Sequence, residues 1–289
     1  MLPMRVMIHV SIYYKDNIEE MTIMNGNELK KRIGYIIRKI ISKFYYYIFA
    51  KCLPNKYYPY QFSGGMIYLN IRESPMMLAR VIGLYERDKS KLIRSVLKPG
   101  MTFIDIGANK GDFSLIAART MHCEGKVIAF EPEPSNCIWI KKSIDLNKYS
   151  NISLFELALG ETDECAKLYL SEKSGWHSLV PALPARNIGV IEVEKRTLDS
   201  VVEENNYQNI NMIKIDVEGF ELMVLRGAYR TLVNNKGVIL LIDIHPFLGV
   251  DPKEVCEFLK NLGFSIYEIG TYEIIGTMRK DLNEILAKR

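Results

Sequence analysis

Residues 101–114 constrain this 289-residue chain more than any other stretch. Phe103, Ile104 and Ile106 form an apolar run suited to a strand buried on both faces, and the run breaks into Gly107-Ala-Asn-Lys-Gly111. Gly107 and Gly111 admit positive φ and a close approach of backbone to ligand. From Asp112 the spacing of Phe113, Ile116 and Ala117 is helical. Strand, tight turn and helix in that order leave open amides at the helix start, where a small molecule can lie across the end of a parallel sheet.

Departures from the dinucleotide pattern G-x-G-x-x-G narrow the ligand. Asn109 and Asp112 hold the second and third glycine positions, and Asp105 and Asp112 would both repel a pyrophosphate. A cationic ligand fits better. S-adenosylmethionine carries a sulfonium and an ammonium but no phosphate, so a carboxylate at a strand end favours it. Residues 126–131 read as a second buried strand ending on Glu131, 20 residues past Gly111, where a carboxylate accepts hydrogen bonds from both ribose hydroxyls. Asp105, Gly107, Asn109, Gly111 and Glu131 are therefore the expected cofactor residues. The alternative is a plain strand-turn-helix whose acids are caps and surface charges.

Charge is unevenly distributed. Residues 1–60 carry 10 Lys or Arg against 4 Asp or Glu, whereas residues 61–289 carry 28 against 30. The second segment is thus not a nucleic-acid-binding surface on charge grounds. Five cysteines without a CxxC pair point to a reduced cytoplasmic protein, and no secretory signal is visible. The expected division is a basic extension over 1–60 and one α/β domain over 61–289.

In the extension, residues 4–14 alternate like a strand. Residues 28–50 place Ile33, Ile36, Ile37, Ile40, Ile41, Phe44 and Ile48 on one helical stripe opposite Lys31, Arg32, Arg38, Lys39 and Lys43. Such a helix either lies in a membrane interface, making the enzyme membrane-peripheral, or packs on the catalytic domain or on a second subunit. Residues 51–66 read as a loop, 66–71 as a hairpin strand and 74–97 as a helix that includes Glu86. After Glu131 come a helix to about 147, a strand at 152–156, a turn at 157–161, extra strands at 166–170 and 190–195 around a loop holding Gly175-Trp-His-Ser178, and a helix at 197–203. A fourth strand ends on Asp216, a fifth at Asp243, a helix covers 252–262, and 264–269 with 272–277 make a closing pair.

Together, Phe103-Ile-Asp-Ile-Gly-Ala-Asn-Lys-Gly-Asp-Phe-Ser114, Ala129-Phe-Glu-Pro-Glu-Pro134, Thr197-Leu-Asp199, Lys214-Ile-Asp-Val-Glu-Gly-Phe-Glu221 and Leu225-Arg-Gly227 carry a resemblance. The chain resembles the FkbM-type family of S-adenosylmethionine-dependent methyltransferases, over roughly residues 68–269. The glycine loop marks any class I methyltransferase; the Ile-Asp-Val-Glu-Gly-x-Glu run is more particular to this family. The resemblance implies a class I Rossmann-like, doubly wound, seven-stranded sheet of order 3-2-1-4-5-7-6 with the last strand antiparallel. It also implies O-methylation of a hydroxyl on a sugar, glycolipid or related small molecule.

A hydroxyl acceptor calls for a base or a metal, from the carboxyl ends of strands four and five. Asp216 and Glu218 are placed to hold the acceptor hydroxyl, or a divalent cation, beside the methyl group; no metal-ligand motif supports the cation. Capping of the next helix is their alternative, with Glu221 in its first turn. His245 is the best candidate base, His177 a candidate acceptor contact in its loop, and Glu86 a candidate lining of the methionine end of the cofactor. A nucleotide-linked dehydrogenase would need the missing glycines. An N-methyltransferase usually shows an Asn/Asp-Pro-Pro-aromatic run where Asp216-Val-Glu-Gly219 stands, with Asp243-Ile-His-Pro246 only a faint echo on another strand, and a non-catalytic nucleotide-binding protein on the same fold remains open.

Overall fold

The computed structural model describes residues 37, 46, 52–172, 175–181, 186–269 and 282–289. The expected strand at 4–14, nearly all of the helix at 28–50 and the strand at 272–277 lie outside them. No described helix is long and apolar enough to cross a membrane.

Strands β3 (Thr102–Ile106), β4 (Lys126–Phe130), β5 (Ile152–Phe155), β9 (Ile210–Ile215) and β10 (Ile239–Asp243) form the parallel part of a seven-stranded sheet completed by β11 (Ser265–Glu268) and β12 (Glu284–Lys288). The order is β5-β4-β3-β9-β10-β12-β11, with β12 antiparallel to both neighbours. In chain order of these seven strands this is 3-2-1-4-5-7-6. Side-chain alternation sorts each strand between two cores. Ile104, Ile106, Ile213 and Ile215 face helices α5 (Leu198–Glu204), α6 (Glu221–Gly227) and α8 (Pro252–Asn261), beyond which α7 (Tyr229–Asn234) adds Leu232. Phe103 and Met212 face α2 (Arg87–Val96) and α3 (Asp112–Thr120) on the other side, so Asp105 points towards α3 as well.

Three expectations change. The loop expected at 51–66 contains β1 (Tyr58–Phe62), which pairs antiparallel with β2 (Gly65–Leu69), so the boundary expected at 60 falls inside a strand. Asn147, at the end of α4 (Pro134–Asn147), fixes this hairpin by accepting from Met66 N (2.7 Å) and donating to Met66 O (2.6 Å). The single helix expected at 74–97 is two, α1 (Pro75–Val81) and α2, broken where Gly83 (φ 69°) and Glu86 (φ 38°) turn left-handed. The turn at 157–161 contains β6 (Ala158–Leu159), which joins β7 (Glu164–Ser171) and β8 (Asn187–Arg196) in a separate sheet of order β6-β8-β7. β11 pairs with β12, a strand that the sequence pattern did not single out.

Candidate active site

The loop after β3 is built to meet the end of β9. Gly107 sits at φ 77°, and a Cβ there would stand 2.0 Å from Asp216 O, so only glycine lets the two strand ends approach. Asn109 and Gly111 continue the loop at φ 54° and 85°. Asn109 N donates to Glu131 Oε2 (2.7 Å), while Glu131 Oε1 accepts from Glu133 N (3.0 Å) and Asn136 Nδ2 (3.2 Å). Burial outweighs these three donors and pushes the Glu131 carboxyl up to about 7.

Asp105 does not face the cleft as expected. It is fully buried beneath the loop, accepting from Ser114 Oγ (2.6 Å), with Lys214 Nζ 3.4 Å from its Oδ1. Lys214 also donates to Gly107 O (3.0 Å) and lies 3.5 Å from Asp216 Oδ2. Burial opposes its charge, but Asp216 and Asp105 outweigh burial and keep it protonated. Asp112 is likewise neutralised, by the buried Arg80 (Nε–Oδ2 2.8 Å), whose guanidinium lies 3.8 Å from the centre of the Tyr85 ring. With both aspartates paired to cations, the repulsion of a pyrophosphate expected from them is largely cancelled.

Lys110 has a place that sequence reasoning missed. Buried under the loop, it donates to Tyr57 OH (2.9 Å) and Asn136 Oδ1 (2.9 Å) and lies 3.3 Å from Glu73 Oε2. Through Asn136 it is one bond from Glu131. The only available signal was a lysine between two glycines of the loop.

Adjacent parallel strands β9 and β10 deliver the second half of the site. Glu218 (φ 49°) and Gly219 (φ 99°) reverse the chain so that Asp216, Glu218 and Glu221 converge on His245. His245 Nε2 lies 3.4 Å from Glu218 Oε2 and 3.8 Å from Asp216 Oδ1. Its Nδ1 lies 2.7 Å from Oε1 of the fully buried Glu221, which also accepts from Gly219 N (2.9 Å). Glu221, expected only as a first-turn acid, is therefore the group that orients the imidazole. Burial would lower the His245 pKa, but the Glu221 contact and the Glu218 and Asp216 charges raise it to about 9. Asp216 is held at about 2, burial being outweighed by Lys214, Lys89 and His245, whereas burial and the Asp216 charge push Glu218 up to about 8. One donor atom from each of Asp216, Glu218 and His245 lies within 4.8 Å of the others.

Of the two remaining candidates, Glu86 lies close enough to the strand ends for its charge to act on Lys214 and Asp243, whereas His177 does not. Glu86 stands in the break between α1 and α2, not on a helix face, with Oε2 3.3 Å from Lys89 Nζ. His177 accepts from Ser171 N (3.0 Å) and is held neutral by burial; the charges it senses are those of Glu133, Lys110 and Glu73, not the carboxylates around His245. Its neighbour Ser178 is the one that reaches that cluster, donating to Glu218 O (2.5 Å).

The methyltransferase FkbM domain model matches residues 105–266, more than half of the chain and all of the loop and strand-end residues from Asp105 to His245. The chain belongs to the FkbM methyltransferase family. It is a methyltransferase, which sets aside the dehydrogenase and the non-catalytic protein. Its relatives include the hexuronic acid methyltransferase AglP of Haloferax volcanii, 28% identical over 187 residues (62% of this chain, 70% of that protein). Another is methyltransferase 1 of Beauveria bassiana, 27% identical over 143 residues (43% of this chain, 57% of that protein). The solved FkbM methyltransferase of Methylobacillus flagellatus is 16% identical, with a TM-score of 0.44 over 87% of this chain and 59% of its own, too loose a likeness for comparing sites residue by residue. Within this FkbM methyltransferase, the family motif at 214–221 supplies Lys214, Asp216, Glu218 and Glu221, so one short segment serves the loop, the cluster and the imidazole.

Proposed function

We propose that this methyltransferase transfers the methyl group of S-adenosylmethionine to a hydroxyl of a sugar, glycolipid or related small molecule. The observation that carries this reading is the Asp216, Glu218 and His245 cluster at the ends of β9 and β10, next to the loop that Gly107 brings against Asp216. Glu131 is positioned to accept from the ribose hydroxyls, and the open loop Gly107–Gly111 to receive the rest of the donor. The acceptor oxygen then bonds to the methyl carbon as the carbon–sulfur bond breaks, leaving S-adenosylhomocysteine, and the hydroxyl proton passes to a His245 imidazole that has first lost its own proton, so transfer should quicken as pH rises towards about 9. Glu221 holds the ring through Nδ1, which supports Nε2 as the atom that meets the acceptor.

A carboxylate acceptor would need no base, whereas a neutral hydroxyl needs the proton transfer that a cluster of ionisable side chains can supply. A relative named for hexuronic acid methylation supports a sugar acceptor, and a uronic acid offers both kinds of oxygen. Labelled methyl transfer to a panel of uronic acids, neutral glycans, glycolipids, amines and small alcohols is the test. An alkali-stable methyl ether is expected; an alkali-labile ester or an N-methyl product would overturn the reading. The basic stripe at 28–50 suits contact with a membrane carrying the acceptor, and equal partition onto anionic liposomes with and without residues 1–50 would discard that part.

A further inference from the structure

We propose that Asp216, Glu218 and His245 form a divalent-cation site, of the Mn²⁺ class, at the point where the acceptor hydroxyl is activated. The inference rests on reading this cluster as the acceptor's side of the cleft and specifies what holds the oxygen there. Three features converge on it.

The first is distance. Nε2 of His245 stands 3.4 Å from Glu218 Oε2 and 3.8 Å from Asp216 Oδ1, too far for ordinary hydrogen bonds. With metal–ligand bonds of about 2.1 Å, donor atoms around one cation lie about 3.0–3.4 Å apart, which the His245–Glu218 pair meets, while all three donor atoms lie within 4.8 Å of one another. Closing the set requires Asp216 to move inward from 3.8 Å.

The second is an unmet acceptor. Glu218 Oε2 is buried and has no hydrogen-bond partner, and neither has Oε2 of Glu221, whose side chain is fully enclosed. Buried carboxylate oxygens are costly without a donor or a cation, and a cation between Glu218 and Asp216 would supply one.

The third is the support behind the histidine. Glu221 Oε1 engages Nδ1 at 2.7 Å, which holds the ring plane and turns Nε2 towards Glu218 and Asp216, where a cation would take the place of the Nε2 proton. A carboxylate behind a ligating imidazole is the arrangement that orients metal-bound histidines. Two carboxylate oxygens and one imidazole nitrogen suit Mn²⁺, Fe²⁺ or Zn²⁺ better than the all-oxygen preference of Mg²⁺ or Ca²⁺. Three protein donors also leave coordination positions for water or for the acceptor oxygen, which the cation would polarise as a Lewis acid.

The test is direct titration of the chelator-treated full chain with Mn²⁺, followed by loss of the free-ion electron paramagnetic resonance signal. One saturable site is expected. Glu218→Gln and Glu221→Gln should each weaken it by about tenfold or more, while calorimetric affinity for S-adenosylhomocysteine, which also reports intact folding, stays within twofold. No saturable binding, or binding unchanged in both variants, would overturn the site and leave the cluster as ion-paired proton carriers. Methyl ether formation that persists in chelator without Mn²⁺ binding removes the cation and spares the proposed function. Saturable binding lost in both variants, without methylation of any hydroxyl, supports the site while removing that function.

Discussion

A carboxylate that accepts three N–H bonds is ordinarily a stronger acid than free glutamate, yet burial wins at Glu131 and moves it from 4.5 to about 7. An acid raised by folding holds a proton that the unfolded chain has lost. Its stabilising contribution is therefore complete below about 4.5 and disappears as pH rises through about 7. Cofactor binding should run the other way, because ribose hydroxyls donate best to the ionised form. Calorimetry at about pH 7, in two buffers of different protonation heat, should detect proton release when S-adenosylhomocysteine binds, and affinity should climb to a plateau above that pH. Identical heats in both buffers would remove Glu131 from the ribose site. Glu131→Gln should weaken binding by about 1–3 kcal/mol, since the new amide must turn its N–H groups towards Asn109 N or Glu133 N, themselves donors. Unchanged affinity in this variant would contradict the assignment independently of pH.

Between elements, the site depends on how closely β3 and β9 end. Gly107→Ala would thrust a methyl to within 2.0 Å of Asp216 O and hold a non-glycine residue at φ 77°. Strain on the order of 1–3 kcal/mol, with the strand ends forced apart, should weaken cofactor binding and slow methyl transfer together. A variant that lost only one of the two would show that loop and cluster are not mechanically joined. This closeness was half legible in the sequence. The alternation in β3 and the motif at 214–221 announced two strand ends carrying acids, and His245 was found from its position after β10. The direction of Asp105 was not, because a strand's period says that Phe103 and Asp105 share a face but not which helix covers it. Glu221 was missed for a similar reason: three residues of separation from Glu218 in a helix start look like capping until Glu218 and Gly219 adopt left-handed backbone. The break in the helix at 83–86 also escaped detection, since the apolar spacing continues through it.

Across the whole molecule, the sheet's far edge is closed by a contact that no local pattern announces. Lys89 on α2 is buried, with Nζ bonded to Asp243 at the end of β10, 3.1 Å from Glu284 Oε1 on β12 and 3.3 Å from Glu86 Oε2. Glu86, Asp243, Glu284 and Asp216 keep it charged against the opposing effect of burial, while burial raises the Asp243 carboxyl in turn. Its partners are up to 195 residues away in sequence, so a lysine in an amphipathic helix reads as solvated until the topology is known. The same distance hides β12, because a short apolar run does not announce by pattern alone which strand it will join. Lys89→Met should leave Asp243 buried beside an alkyl chain and destabilise the fold by about 3–5 kcal/mol in urea unfolding. Adding Asp243→Asn removes the stranded carboxyl, so the double variant should be more stable than Lys89→Met alone. If instead the two losses simply add, Lys89 does not hold the helix to the sheet through Asp243, and closure of this edge falls to the apolar contacts of Leu92 and Ile93 with Leu241 and Leu286.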